Sequence, residues 1–175
     1  MGRNYKLKEF ASLSGKDVFV DANVLIYLFW PTGQHSYESE YAQAYKNLII
    51  QRNNLYVDFL VVSEVINRVL RLEYKKANLD DSQNFKKYRD STEGVNVLND
   101  IYVIVKDNIL KHFQIIGKSF NKGDIEIFLN VDKLDFVDKA IASICLDNNF
   151  VLLTHDKDFK DTGLDILTGN NNIFN

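Results

Sequence analysis

Residues 17–30 read Asp17-Val18-Phe19-Val20-Asp21-Ala22-Asn23-Val24-Leu25-Ile26-Tyr27-Leu28-Phe29-Trp30. Asp17 to Asp21 is short, apolar and β-branched at its centre, the signature of a buried strand. Ala22 to Trp30 then reads as a helix that stops near Pro31 and Gly33. A buried strand that ends on an acid and runs directly into a helix is the opening unit of an α/β fold with a parallel sheet.

Outward from there the same alternation continues. Tyr37 to Arg52 reads as a helix, with Tyr41, Ala44, Tyr45, Leu48 and Ile49 at helical spacing. Leu55 to Phe59 is a short strand, and Val61 to Lys76 a helix whose stripe is Val62, Val65, Ile66, Val69 and Leu72. Residues 80–133 are largely helical in pattern but ambiguous, because Val95 to Phe113 carries apolar residues at nearly every angle. Ile115-Ile116 suggests a short strand, Phe136 to Leu146 a helix, Phe150 to Thr154 another buried strand, and Leu164 to Leu167 a last one. The expected architecture is three-layer α/β/α around a central, mostly parallel sheet. In such sheets ligands sit at the carboxyl ends of the strands.

The chain has 175 residues, of which 46% are hydrophobic, enough for one core. One domain over 1–175 is expected, with 1–16 as an N-terminal extension and 169–175 as a frayed, Asn-rich tail. The formal net charge of −3 tells against a generally basic nucleic-acid binder, but it leaves room for a local basic groove. Cys145 is the single cysteine, so no intramolecular disulfide can form, which fits a reducing, cytoplasmic compartment. No apolar run resembles a signal peptide or a membrane span.

Four acids fall at strand-to-helix junctions or first helical turns. Asp21 ends the first strand, Glu64 opens the helix after the second, Asp138 opens the helix from Phe136, and Asp156 follows the strand 150–154. Each has an ordinary explanation. Asp21 could cap a helix, Glu64 could complement a helix dipole, Asp135 and Asp138 are spaced as an N-cap and its third helical residue, and Asp156 could be turn chemistry. As an ordered set, in a parallel sheet, all four can converge on one edge. Packed carboxylates then need protons or a cation, and oxygen ligands without His or Cys suit Mg²⁺ or Mn²⁺.

Val18-Phe19-Val20-Asp21-Ala22-Asn23-Val24-Leu25-Ile26-Tyr27, Val61-Val62-Ser63-Glu64-Val65, Leu134-Asp135-Phe136-Val137-Asp138-Lys139-Ala140-Ile141-Ala142-Ser143 and Val151-Leu152-Leu153-Thr154-His155-Asp156-Lys157-Asp158-Phe159 together resemble the PIN domain family, and within it the VapC-type toxins. The resemblance implies a metal-dependent endoribonuclease that leaves a 5′-phosphate, with Asp21, Glu64, Asp138 and Asp156 as catalytic metal ligands. It implies that Asn23, Ser63 and Thr154 hold carboxylates or water, and that Asp158 is a helper. For a toxin it further implies an antitoxin protein that blocks the acidic pocket, and often a homodimer. Two departures set this chain apart from compact toxins: the sixteen residues before the usual start, and a longer stretch between Glu64 and Asp138.

Arg68, Arg71 and Lys75 follow Glu64 at i+4, i+7 and i+11 and share one helix face. Arg68 and Arg71 are candidate RNA contacts, against the plainer possibility of a solvated face with a Glu64–Arg68 pair. Lys86, Lys87 and Arg89 beside Phe85 and Tyr88 could stack bases, or simply form an amphipathic surface. His155, next to Asp156, is a lesser candidate for substrate contact. A haloacid-dehalogenase-type phosphatase would want an Asp where Asn23 stands, and a response-regulator receiver would want an acidic pair after the first strand. A structure-specific DNA nuclease and a catalytically inert PIN-like binding module are the remaining alternatives.

Overall fold

The computed structural model describes residues 2–33, 35–77 and 84–175. Six strands form one sheet: β1 (Asn4–Lys6), β2 (Val18–Val20), β3 (Leu55–Val57), β4 (Gln114–Ile115), β5 (Val151–Leu153) and β6 (Asp165–Thr168). Their order across the sheet is β1-β6-β5-β2-β3-β4. Every pairing is parallel. Parallel strands need crossovers, and between β2 and β5 α-helices supply them: α1 (Ala22–Phe29), α2 (Tyr37–Ile50), α3 (Phe59–Ala77), α4 (Phe85–Arg89), α5 (Thr92–Ile104), α6 (Leu110–His112), α7 (Lys122–Phe128) and α8 (Phe136–Asn148). The connection from β5 to β6 carries only the 3-10 turn Lys157–Phe159. The result is the three-layer α/β/α arrangement that the sequence pattern calls for.

The inner strands are apolar throughout because helices cover both faces. Val18, Phe19 and Val20 in β2 and Val151, Leu152 and Leu153 in β5 are wholly buried. β5 and β3 each start from a turn that the sequence marks. Asn149 adopts φ 53° at the end of α8, where its amide bonds back to Cys145 and Leu146, and the chain then enters β5. The turn before β3 is pinned by buried Asn53, whose side-chain amide donates to the carbonyls of Leu13 and Lys16.

From β2 the chain proceeds to β3 and β4 on one side; from β5 it proceeds to β6 on the other. The crevice between the adjacent strands β2 and β5 is therefore a topological switch point, and the carboxyl ends of both strands open onto it. Asp21 and Thr154, which follow the paired residues Val20 and Leu153, are the first residues beyond the sheet there.

One expectation needs correction and two gain detail. The N-terminal extension joins the sheet: Asn4–Lys6 is an edge strand in register with Ile166–Thr168. The C-terminal tail is not frayed. Residues 171–173 form a short 3-10 turn, Ile173 is 1% exposed, and the Asn170 amide donates to the His155 carbonyl at 2.7 Å. The ambiguous stretch is helical over much of its described length, but Val105–Ile109 winds as a π-helix between α5 and α6, which rotates the apolar face and explains its lack of a clean period. Residues 80–83 of that stretch lie outside the described residues.

Candidate active site

Asp21 caps α1 and accepts the Ala22 amide through Oδ1 at 2.7 Å. Its Oδ2 accepts from the Asn23 amide and from the Thr154 hydroxyl, each at 2.6 Å. The residue is 5% exposed, so both oxygens are fixed before anything binds. Burial, followed by the charges of Glu64 and Asp156, pushes its carboxyl up to about 6, while the Thr154 hydroxyl and the Ala22 amide hold it lower than burial alone would.

Thr154 and Asn23 organise more than Asp21. The Thr154 oxygen accepts the Asp156 amide at 2.9 Å, and the Asn23 carbonyl oxygen accepts the His155 amide at 3.1 Å. The loop leaving β5 is thereby tied to the carboxylate leaving β2. Asp156 in turn accepts the Asp158 amide at 2.9 Å and opens a 3-10 turn.

Asp138 sits in the first turn of α8, where its amide donates to the N-cap Asp135 at 2.8 Å. Burial first, then the charges of Asp135, Asp21 and Asp156, push its carboxyl up to about 7. Acids from β2, α8 and the loop after β5 thus feel one another. Glu64, which raises Asp21, closes the group from α3. Asp138, Asp156, Glu64 and Asp135 line one cleft of about 500 Å³ with Ser63, Asn67 and Arg68.

Lys139 follows Asp138 in sequence but turns away, donating to the Phe128 carbonyl at 3.1 Å and pairing with Asp132. Among the described residues, the cation that lines the cleft is Arg68. Its guanidinium meets Glu64 at 2.9 Å one helical turn back; both side chains are partly exposed, so the pair is weak. Set against Glu64, Asp135, Asp138 and Asp156, that one cation leaves a negative excess.

Among the described residues, no three carboxylate, imidazole or thiol groups are closed tightly around one point. Glu64, Asp135, Asp138 and Asp156 line a cavity instead; buried Asp21 is not among its lining residues. The donor set nevertheless fits a hard divalent cation: it is all oxygen, part-buried, over-charged and pre-oriented. The nearby imidazole is engaged elsewhere, since His155 Nδ1 lies 3.0 Å from the Tyr41 hydroxyl.

The other expected residues divide. Asn23 and Thr154 do hold a carboxylate. Ser63 does not: its oxygens take the Asn67 amide on its own helix. Asp158 contributes its backbone amide. Tyr88 is buried in the core and Phe85 carries Arg71 on its face at 4.4 Å, so this pair is occupied rather than offered to bases. Cys145 is buried and apolar in setting, as expected. Asn67 joins the cleft unforeseen, although its place three residues after Glu64 on the same helical face is a usable signal. Asp135, expected only to cap, also lines the cleft.

A family model described as PIN domain matches residues 18–164. No curated protein matches the sequence. Among solved structures, the crystal structure of PAE2754 from Pyrobaculum aerophilum is similar, with a TM-score of 0.50 and 18% identity over 87% of this chain and 83% of that one. Identity that low speaks to the fold alone.

Proposed function

Because this chain belongs to the PIN domain family, whose members are generally metal-dependent nucleases, we propose that it is an endoribonuclease that hydrolyses RNA phosphodiester bonds with Mg²⁺ or Mn²⁺. The observation that carries this is the cleft lined by Glu64, Asp138 and Asp156, with no lysine among its described lining residues, beside which buried Asp21 feels the charges of Glu64 and Asp156. These four side chains would hold the ion. A divalent cation bound there supplies Lewis acidity and lowers the pKa of its water.

The chain's own residues do the rest. Thr154 and Asn23 hold the Asp21 carboxyl in one orientation. Arg68 is at hand for a phosphate oxygen once Glu64 is otherwise engaged. The exposed cations Arg71 and Lys75 extend that positive face along α3 and support a polyanionic substrate. A toxin role with an antitoxin partner is supported by the resemblance to VapC-type toxins.

The test is cleavage of a mixed RNA pool in Mg²⁺ or Mn²⁺ by the wild-type protein and by Asp21→Asn. Fragments with 5′-phosphates from the wild type alone are expected. Equal activity of the two proteins would refute the assignment, and no activity on RNA with activity on branched DNA would move it to the DNA alternative.

A further inference from the structure

A second cavity, of about 380 Å³, adjoins the acidic cleft, and Arg68 lines both. One wall is α3, with Arg68, Arg71 and Lys75. The other is α1 and the loop after it, with Asn23, Tyr27 and His35. Asn23 also donates to Asp21, and Arg68 pairs with Glu64, so each wall has a residue in contact with the proposed catalytic group.

The aromatic wall is a built stack. His35 lies flat on Tyr37, with ring centroids 4.8 Å apart and planes 7° apart. Tyr37 lies on His155 at 4.2 Å and 23°. Tyr27 braces Tyr37 and His155 edge-on, at 5.1 and 5.9 Å. His35, the outermost ring, is exposed, while the rings beneath it are part-buried.

Glu38 ties down the residues on either side of this ring. Buried Glu38 accepts from the Thr32 hydroxyl at 2.8 Å and the Gly33 amide at 3.0 Å, and its own amide donates to the His35 carbonyl at 3.2 Å. A ring whose backbone is hydrogen-bonded in this way is presented at reduced ordering cost.

We propose that this cavity is a nucleotide subsite, in which the base next to the scissile phosphate continues the His35–Tyr37–His155 stack and its phosphate meets Arg71 and Lys75. The proposal rests on the nuclease reading for its register and names the substrate class as single-stranded nucleic acid. A duplex would keep its bases stacked on one another, whereas a single strand can place one on an aromatic ring. Arg68, common to both cavities, marks where the backbone passes from one to the other.

The test uses the full chain and short single-stranded RNA carrying 2-aminopurine at successive positions, in Ca²⁺ and separately in EDTA. Fluorescence quenching confined to one position is expected. An abasic residue at that position should weaken binding about tenfold. The exposed-site variant His35→Ala should lose the quenching and bind intact and abasic RNA alike. Circular dichroism and thermal melting check that the variant keeps its fold. A wild-type protein that quenches at no position in either condition, or a folded His35→Ala that quenches as wild type, overturns the subsite. Failure of the nuclease assignment looks different: position-specific quenching with no cleavage in Mn²⁺.

Discussion

The Thr154 hydroxyl donates to Oδ2 of Asp21 over 2.6 Å, joining the residue after β5 to the residue after β2. Thr154 is wholly buried, and its oxygen also accepts the Asp156 amide. Replacing it with isosteric valine strands the Asp156 amide and leaves Asp21 Oδ2 with the Asn23 amide alone, at a cost of about 1–3 kcal/mol. It also removes the hydroxyl that holds the Asp21 carboxyl down. Thr154→Val is therefore expected to melt lower and to require higher pH for Mn²⁺ binding. Thr154→Ser should restore both. Urea denaturation and a Mn²⁺ titration at several pH values check this.

Asp138 raises the opposite expectation. It is crowded by Asp135, Asp21 and Asp156. At pH 8 without metal, Asp138→Asn removes repulsion and should raise the melting temperature by about 2–4 °C for each kcal/mol relieved. The same variant should lose most of the stabilisation that Mn²⁺ gives the wild type. Thermal melts in EDTA and in Mn²⁺ read both effects. A variant that melts lower in EDTA and still responds fully to Mn²⁺ would contradict the assignment.

The pH dependence follows from the same two carboxyls. Asp21 is raised to about 6 and Asp138 to about 7, from 3.8 when unfolded. The folded state thus binds protons that the unfolded chain has released between about pH 4 and 7. Over that window, rising pH removes stability from the metal-free protein, and by about pH 8 the loss is complete. The EDTA melting temperature should fall from about pH 5.5 to about pH 8, and saturating Mn²⁺ should flatten or reverse that slope.

Arg68 separates metal binding from substrate binding. It faces Glu64 at 2.9 Å but lines the neighbouring basic cavity as well. Arg68→Ala should leave Mn²⁺ affinity equal or tighter, since Glu64 is freed. RNA affinity should fall, and the log–log salt slope of binding should shrink by about one. Isothermal titration for the metal and anisotropy at several salt concentrations for RNA distinguish the two.

Much of this was legible in the sequence because it is local. Val18–Val20 and Val151–Leu153 are continuous apolar runs, and their ends fix where Asp21 and Asp156 must lie in a parallel sheet. Helix-capping logic likewise places Asp138, through the N-cap Asp135. What escaped is long-range or irregular. Asn4–Lys6 is three residues long and mostly polar, and only its register with Ile166–Thr168 makes it a strand. The π-helical turn at Val105–Ile109 breaks the period that a helix reading relies on. The stack of His35, Tyr37 and His155 joins residues from distant parts of the chain, with no spacing to announce it.

The C-terminal tail gives the sharpest test of packing over composition. Gly169 to Asn175 is polar enough to be read as solvent-borne, yet Ile173 is 1% exposed within the main core. Gly169 donates to the Tyr41 hydroxyl at 2.9 Å and Asn170 to the His155 carbonyl at 2.7 Å, so the tail also steadies the loop that bears Asp156. A frayed tail would tolerate any change. A docked one predicts that Ile173→Ala costs about 2–4 kcal/mol through its cavity and lost burial. Because the tail grips His155, the same variant should speed amide hydrogen exchange at residues 155–158 more than in β2. Unchanged stability and exchange would return the tail to solvent.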